Sequence, residues 1–149
     1  MDIKPTTNNH YTEFNKKLLN KSKESPTMLS YEQKMNILVP KTKEVLAETA
    51  EKQVPENGLF RKVFVSFSVP DTDNKALLGI EYDEAEPKTQ RRLFVGVHHN
   101  NSDRLTQNYL LKGTKAEIIE YLKDGSNQQS IIESVTNLSK KTDEYYASL

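Results

Sequence analysis

The apolar periodicity of this chain changes at Leu59, and that change constrains the fold more than any motif does. Before it, apolar residues recur at helical spacing. After it they recur at every second position, the period of a half-buried strand. Val63, Val65, Phe67 and Val69 alternate with Lys62, Phe64, Ser66 and Ser68, and Pro70-Asp71-Thr72-Asp73-Asn74 supplies a turn. A second strand is expected over Lys75–Asp83, with Ala76, Leu78, Ile80 and Tyr82 on one face. A polar loop from Glu84 to Gln90, with Pro87 inside it, leads to a third strand over Arg91–His99, where Leu93, Val95 and Val97 alternate. Asn100-Asn101-Ser102-Asp103 turns the chain into a fourth strand, Arg104–Lys112, which places Leu105, Tyr109 and Leu111 together. Short connections without intervening helices make these strands an antiparallel meander.

Helical signals flank the meander on both sides. Residues 1–10 are polar and are expected to be a flexible N-terminus, with 11–149 forming a single domain: 11–55 helical, 59–112 strands, 114–149 helical. Tyr11, Phe14, Leu18 and Leu19 form the apolar stripe of a short first helix, ended by Ser25-Pro26. Ser30-Tyr31-Glu32-Gln33 has the spacing of a capping box and starts a helix that carries Tyr31, Met35 and Leu38. Pro40 either kinks it or opens a second segment, along which Val45, Leu46 and Ala50 continue the stripe. After the strands, Thr114-Lys115-Ala116-Glu117 is a second capping box, and Gly125 reads as the C′ residue of the helix it opens. Ser126–Gln129 caps a last helix, where Ile131, Val135 and Leu138 recur. Strands grouped together and helices grouped at both ends give an α+β fold. Its four-stranded antiparallel β-meander has the N-terminal helices and the two C-terminal helices packed on one face.

Composition narrows the function. The 149 residues suit one domain, and 21 basic against 21 acidic side chains argue against a nucleic-acid coat or an acidic tail. With no cysteine there is no disulfide framework, thiol nucleophile or thiolate metal site. No apolar run approaches the roughly 20 residues that span a bilayer, and the start of the chain shows no signal-peptide pattern. A cytoplasmic protein without a membrane segment is the expectation.

The motifs that carry chemistry fail one after another. His98 and His99 are neighbours on a strand, so their rings point to opposite faces, and His10 is the only other histidine; no metal site is expected. Asp71-Thr72-Asp73-Asn74 begins like a calcium loop, but Ala76 and Tyr82 occupy the positions that require glycine and glutamate. Glu81, Asp83, Glu84 and Glu86 form an acidic patch, with Glu81 and Asp83 about 7 Å apart on one strand face. The five glycines fall in no phosphate-loop spacing, and no cofactor is expected.

One sheet face is expected to be the core. The other collects Phe60, Lys62, Phe64, Ser66, Leu77, Gly79, Glu81, Arg92, Phe94, Gly96, His98, Arg104 and Asn108. This mixture of aromatic, glycine and charged residues is too apolar for a solvated face and too polar for a second core. An N-terminal helix could lie across it, close approach being permitted by Gly79 and Gly96. The alternative is a surface that recognises another protein through Phe64, Arg92, Phe94, His98, Glu81 and Asp83. A second reading is nucleic-acid association through Lys62, Arg91, Arg92 and Phe94, opposed by the nearby carboxylates, which are better placed to pair with the arginines across the strands. A third is an enzyme centred on His98 with Glu81. The helix–meander–helix layout resembles small cytoplasmic adaptors, such as toxin-neutralising immunity proteins and secretion chaperones, in architecture alone. Secretion chaperones interleave a helix among their strands and are more acidic, and this chain departs from both. The expectation is a non-enzymatic protein-binding module with no catalytic residues, its oligomeric state open.

Overall fold

The structure is a computed structural model that describes residues 28–84 and 90–149. The expected first helix with Tyr11, Phe14, Leu18 and Leu19 lies outside the described residues, as do Glu86, Pro87 and Lys88. The elements run in the order α1 (Tyr31–Gln53), β1 (Lys62–Ser68), β2 (Asn74–Tyr82), β3 (Arg91–His99), β4 (Thr106–Gly113), α2 (Lys115–Lys123), a 3-10 turn (Gly125–Asn127) and α3 (Gln128–Ala147). The four strands form one antiparallel sheet in chain order. This is the α+β meander expected from the periodicity.

α1 begins where the capping box places it: the Gln33 amide donates to Ser30 Oγ at 3.1 Å and the Ser30 amide to Gln33 Oε1 at 2.8 Å. It then runs unbroken through Pro40. A proline inside a helix costs about 3 kcal/mol or more. Met35, Leu38 and Val39 before it and Val45, Leu46 and Ala50 after it are all buried in the same core cluster, which holds both halves in one helix. Full burial of one such aliphatic side chain is worth about 1.5–3 kcal/mol, so the packing outweighs the lost bond.

The second capping box is also present, Thr114 and Glu117 exchanging bonds of 3.0 and 3.2 Å. The end of α2 differs from expectation. Gly125 is not in the left-handed region and instead begins the 3-10 turn. Asp124 caps in an extended conformation, its Oδ1 accepting the Ser126 amide at 2.9 Å. The carbonyl of Asp124 is taken by Lys43 of α1, whose Nζ donates to it and to Asn127 Oδ1, both at 2.7 Å. Burial pushes the Lys43 ammonium below its ordinary pKa, and the nearby Asp124 carboxylate opposes part of that shift. A long-range lysine thus does what a local glycine was expected to do.

α1, α2 and α3 cover one face of the sheet. Val63, Val65 and Phe67 of β1, Ala76, Leu78 and Ile80 of β2, and Leu93, Val95 and Val97 of β3 join Met35, Leu46, Ile118, Leu122, Ile131 and Val135 in a single core. At one end of this inner face Arg91 is wholly buried. Its Nη2 donates to the carbonyls of Pro55 (3.0 Å) and Gly58 (3.1 Å), and its guanidinium lies over Phe60 (5.1 Å) and Tyr82 (5.5 Å). Burial lowers its pKa from the ordinary arginine value. Arg91 therefore ties the α1–β1 connection to the sheet, where Gly58 takes a positive φ of 98° that L side chains rarely adopt.

The opposite end is held by the β1–β2 turn. Asp71 adopts φ 62°, tolerable for an aspartate, and its carboxylate pairs with Lys34 of α1 at 3.1 Å. Asn74 is buried and donates to Ser139 Oγ (2.8 Å) and Asp143 Oδ1 (2.9 Å) of α3. Asp71, Thr72 and Asp73 form the turn, and β2 begins at Asn74.

Candidate functional site

In an antiparallel sheet, residues directly opposite share a face, so the register fixes the outer surface row by row. The first row is Lys62–Glu81–Arg92–Lys112 and the second Phe64–Gly79–Phe94–Tyr109. The third is Ser66–Leu77–Gly96–Gln107 and the fourth Ser68–Lys75–His98. Phe64, Glu81, Arg92, Phe94 and His98 all lie on this face, and Asp83 follows the end of β2.

In the first row the arginine and the glutamate are paired. Arg92 Nη2 meets Glu81 Oε2 at 3.1 Å, and Arg92 Nε lies 3.9 Å from Asp83 Oδ1. The same guanidinium stands 4.5 Å above the Tyr109 ring. The expected cross-strand pairing of arginine with carboxylate is therefore present.

The second row is organised by a glycine. A Cβ on Gly79 would stand 2.6 Å from the Phe94 ring and 2.8 Å from Phe64 Cβ. Phe94 thus lies across bare backbone, with Lys62 Nζ 5.4 Å above its centroid, and is only 1 % exposed. It is the one buried hydrophobic of the described residues outside the helix-covered core. Phe94 supports this surface from beneath; Phe64 and Leu77 are half-buried, and Tyr109, 50 % exposed, stands proud. The close approach that Gly79 and Gly96 were expected to offer a helix is taken by side chains of the face itself, for Leu105 occupies the space over Gly96.

β4 departs from the sequence reading. The register shifts between Leu93 and Phe94, so Leu93 pairs with Leu111 while Phe94 pairs with Tyr109. The bulge at Leu110 puts Tyr109 on the outer face and Leu111 on the inner one, instead of together. Leu105 precedes the strand and packs on the outer face, not in the core. Phe60 leaves the outer face and packs against the core, in edge contact with Tyr82 at 6.5 Å, and Asn108 pairs with Val95 on the inner side. Tyr109 and Leu105 are thus outer-face residues that strict alternation misplaced. The signal was the doublet Leu110-Leu111, which breaks the alternation.

Phe64, Leu77, Phe94, His98 and Leu105 border one shallow depression of about 220 Å³, its rim completed by Lys62, Ser102 and Asp103. His98 Nδ1 shares a 2.8 Å hydrogen bond with the His99 carbonyl. His98 and Glu81 do not meet. They belong to the fourth and first rows, six residues apart along β2, or about 20 Å. Arg91 and Arg92 point to opposite faces, so the basic edge proposed for nucleic acid loses Arg91 to the core side and finds Arg92 already paired. Among the described residues no group of three or more histidine, aspartate or glutamate side chains is placed to hold a metal ion, and no helix is long and apolar enough to cross a membrane. Comparison with protein families, curated proteins and solved structures finds no match to this chain.

Proposed function

We propose that this chain is a non-enzymatic protein-binding module of the cytoplasm, working through the outer face of its sheet. The observation that carries the reading is the Phe64–Gly79–Phe94–Tyr109 row, an aromatic strip outside the helix-covered core and flanked by the Arg92–Glu81 pair. Tyrosine and arginine are the residue types that most often dominate interface energy, and here one is stacked on the other. Glu81 and Asp83 hold Arg92 in place before any partner arrives, which lowers the ordering cost of binding. Glu84, exposed beside them, adds charge that steers more than it binds.

Affinity capture from cytoplasmic extract, compared between the wild-type chain and Tyr109→Ala, tests the proposal. A contact worth about 2 kcal/mol corresponds to about a thirty-fold weaker association. The expected result is a protein retained by the wild type and lost by the variant, with the melting curve nearly unchanged. Identical capture by both chains would overturn the reading.

A further inference from the structure

We infer that Asn57-Gly58, in the connection between α1 and β1, is a self-modifying site. The Gly58 backbone nitrogen attacks the side-chain amide of Asn57, and the product loosens the hold of Arg91 on this connection. A C–N bond forms between the Gly58 nitrogen and Asn57 Cγ as the bond from Cγ to Nδ2 breaks. Nδ2 leaves as ammonia, taking up the proton that the Gly58 nitrogen gives up. The cyclic imide then adds water and opens at either carbonyl. Residue 57 is left as aspartate, or as isoaspartate, whose backbone runs through the side-chain carbon. Water is the only other reactant, and the two reacting groups are already neighbours in one chain.

Asn57 is the one asparagine of the chain that precedes glycine, which has no Cβ to hinder its nitrogen. Asn57 is exposed, and nothing stands within 4 Å of where a Cβ on Gly58 would be. The Gly58 carbonyl accepts from Arg91 Nη2 at 3.1 Å, but the Gly58 N–H meets no acceptor among the described residues. The exposed asparagines of the β3–β4 turn differ. The nitrogen that would attack Asn101 is that of Ser102, whose N–H donates to the His99 carbonyl at 3.0 Å. The nitrogen that would attack Asn100 is that of Asn101, whose N–H donates to His99 Nδ1 at 3.3 Å. After Asn127, the Gln128 N–H donates to the Gly125 carbonyl. A nitrogen held in such a bond must be released before it can reach Cγ. The place of Asn57 gives the change a consequence. Arg91 is wholly buried, and its Nη2 donates to carbonyls on both sides of Asn57, those of Pro55 (3.0 Å) and Gly58 (3.1 Å). Isoaspartate inserts a further backbone carbon between these carbonyls, so their spacing no longer matches a single guanidinium nitrogen. Plain aspartate keeps the original backbone and both bonds.

The inference does not rest on the proposed partner, because the reaction needs only the chain and water. The full chain is aged at physiological temperature and mildly alkaline pH, mapped by peptide mass spectrometry and then melted. The expected result is that the peptide with Asn57 gains the mass of an amide-to-acid exchange, as aspartate and isoaspartate, well before the peptide with Asn101 changes. Conversion should quicken as pH rises, since the attacking nitrogen must lose its proton. The aged protein should melt about 4 °C or more below the fresh one. Asn57→Gln, whose longer side chain closes its ring far more slowly, should keep its melting temperature on ageing. Asn57→Asp, which carries the charge on an unaltered backbone, should melt like the fresh wild type. In denaturant, where the Ser102 N–H is released, the lead of Asn57 over Asn101 should shrink. Conversion of Asn101 as early as Asn57 in the folded chain would overturn the inference, as would a lead that is the same folded and unfolded. So would converted protein that melts like the fresh, an equal loss on ageing in Asn57→Gln, or Asn57→Asp melting as low as the aged wild type.

Discussion

Along the inner face of the sheet the rows Val63–Ile80–Leu93, Val65–Leu78–Val95 and Phe67–Ala76–Val97 are apolar throughout, and all of these side chains join the helices in one core. Along the outer face the same three strands, in the same register, bury one hydrophobic, Phe94, seated on a glycine and overlain by a lysine. The inner face is stabilised by removing aliphatic volume from water. The outer face is kept in order with little burial, by a cross-strand ion pair, a ring on bare backbone and a guanidinium on a tyrosine. Neighbours in sequence are divided between these regimes. Arg91 is sealed in the first and Arg92 is partly exposed in the second.

The largest effect expected belongs to the inner face. Val65→Asp places an unpaired carboxylate in the middle of the core, at a cost of several kcal/mol that a domain of this size does not withstand. Loss of the far-UV circular dichroism of the native state at room temperature is the expected outcome. A cooperatively folded Val65→Asp would erase the distinction between the faces. Phe94→Ala comes next. Because Phe94 is as buried as a core residue, denaturant titration should show a loss of about 3–5 kcal/mol, despite its position on the outer face. A loss under about 1 kcal/mol would mean that Gly79 and Lys62 do not hold the ring.

The division of the faces was legible in the strands wherever alternation was strict. Val63 to Val69, Ala76 to Ile80 and Leu93 to Val97 fall on the faces that period two assigns, and the capping boxes at Ser30 and Thr114 start helices where expected. What alternation could not show is where it stops. A bulge inverts every assignment on one side of it, which is how Tyr109 and Leu111 came apart. Pro40 was ambiguous because local cost and tertiary packing oppose each other, and only the packing is absent from the sequence. Gly125 misled for the same reason, since the lysine that caps α2 lies eighty-one positions away. At the candidate site residue types revealed the face, but the burial of Phe94 arises from its contact with Gly79 on the adjacent strand.

That contact gives the next prediction. Gly79→Ala sets a methyl against the Phe94 ring and Phe64 Cβ, in the middle strands where backbone cannot give way. Overpacking of this kind costs about 1–3 kcal/mol. In a Phe94→Ala background the same substitution should cost distinctly less, and a double-mutant cycle by chemical denaturation measures the difference. Additive losses would show that ring and glycine are independent, leaving the order of the outer face unexplained by the pair.

The smallest effect expected is at Tyr109, one strand away from Phe94 in the same row. Its ring is half-exposed, and its hydroxyl accepts a hydrogen bond from Gln107 at 3.0 Å on the open edge strand. The Arg92 guanidinium over it is held by Glu81 whether or not the ring is there. A partly exposed cation–π contact is worth about 0.5–1 kcal/mol, and water replaces the hydroxyl as the acceptor for Gln107 with little penalty. Tyr109→Ala should therefore lower the melting temperature by no more than about 2–4 °C. The contrast with Phe94→Ala is decisive. Two aromatics paired across adjacent strands should differ several-fold in their contribution to stability, because one lies on a glycine and the other stands at the rim. If Tyr109→Ala proves as costly as Phe94→Ala, the outer face is a second core and the proposed recognition surface does not exist.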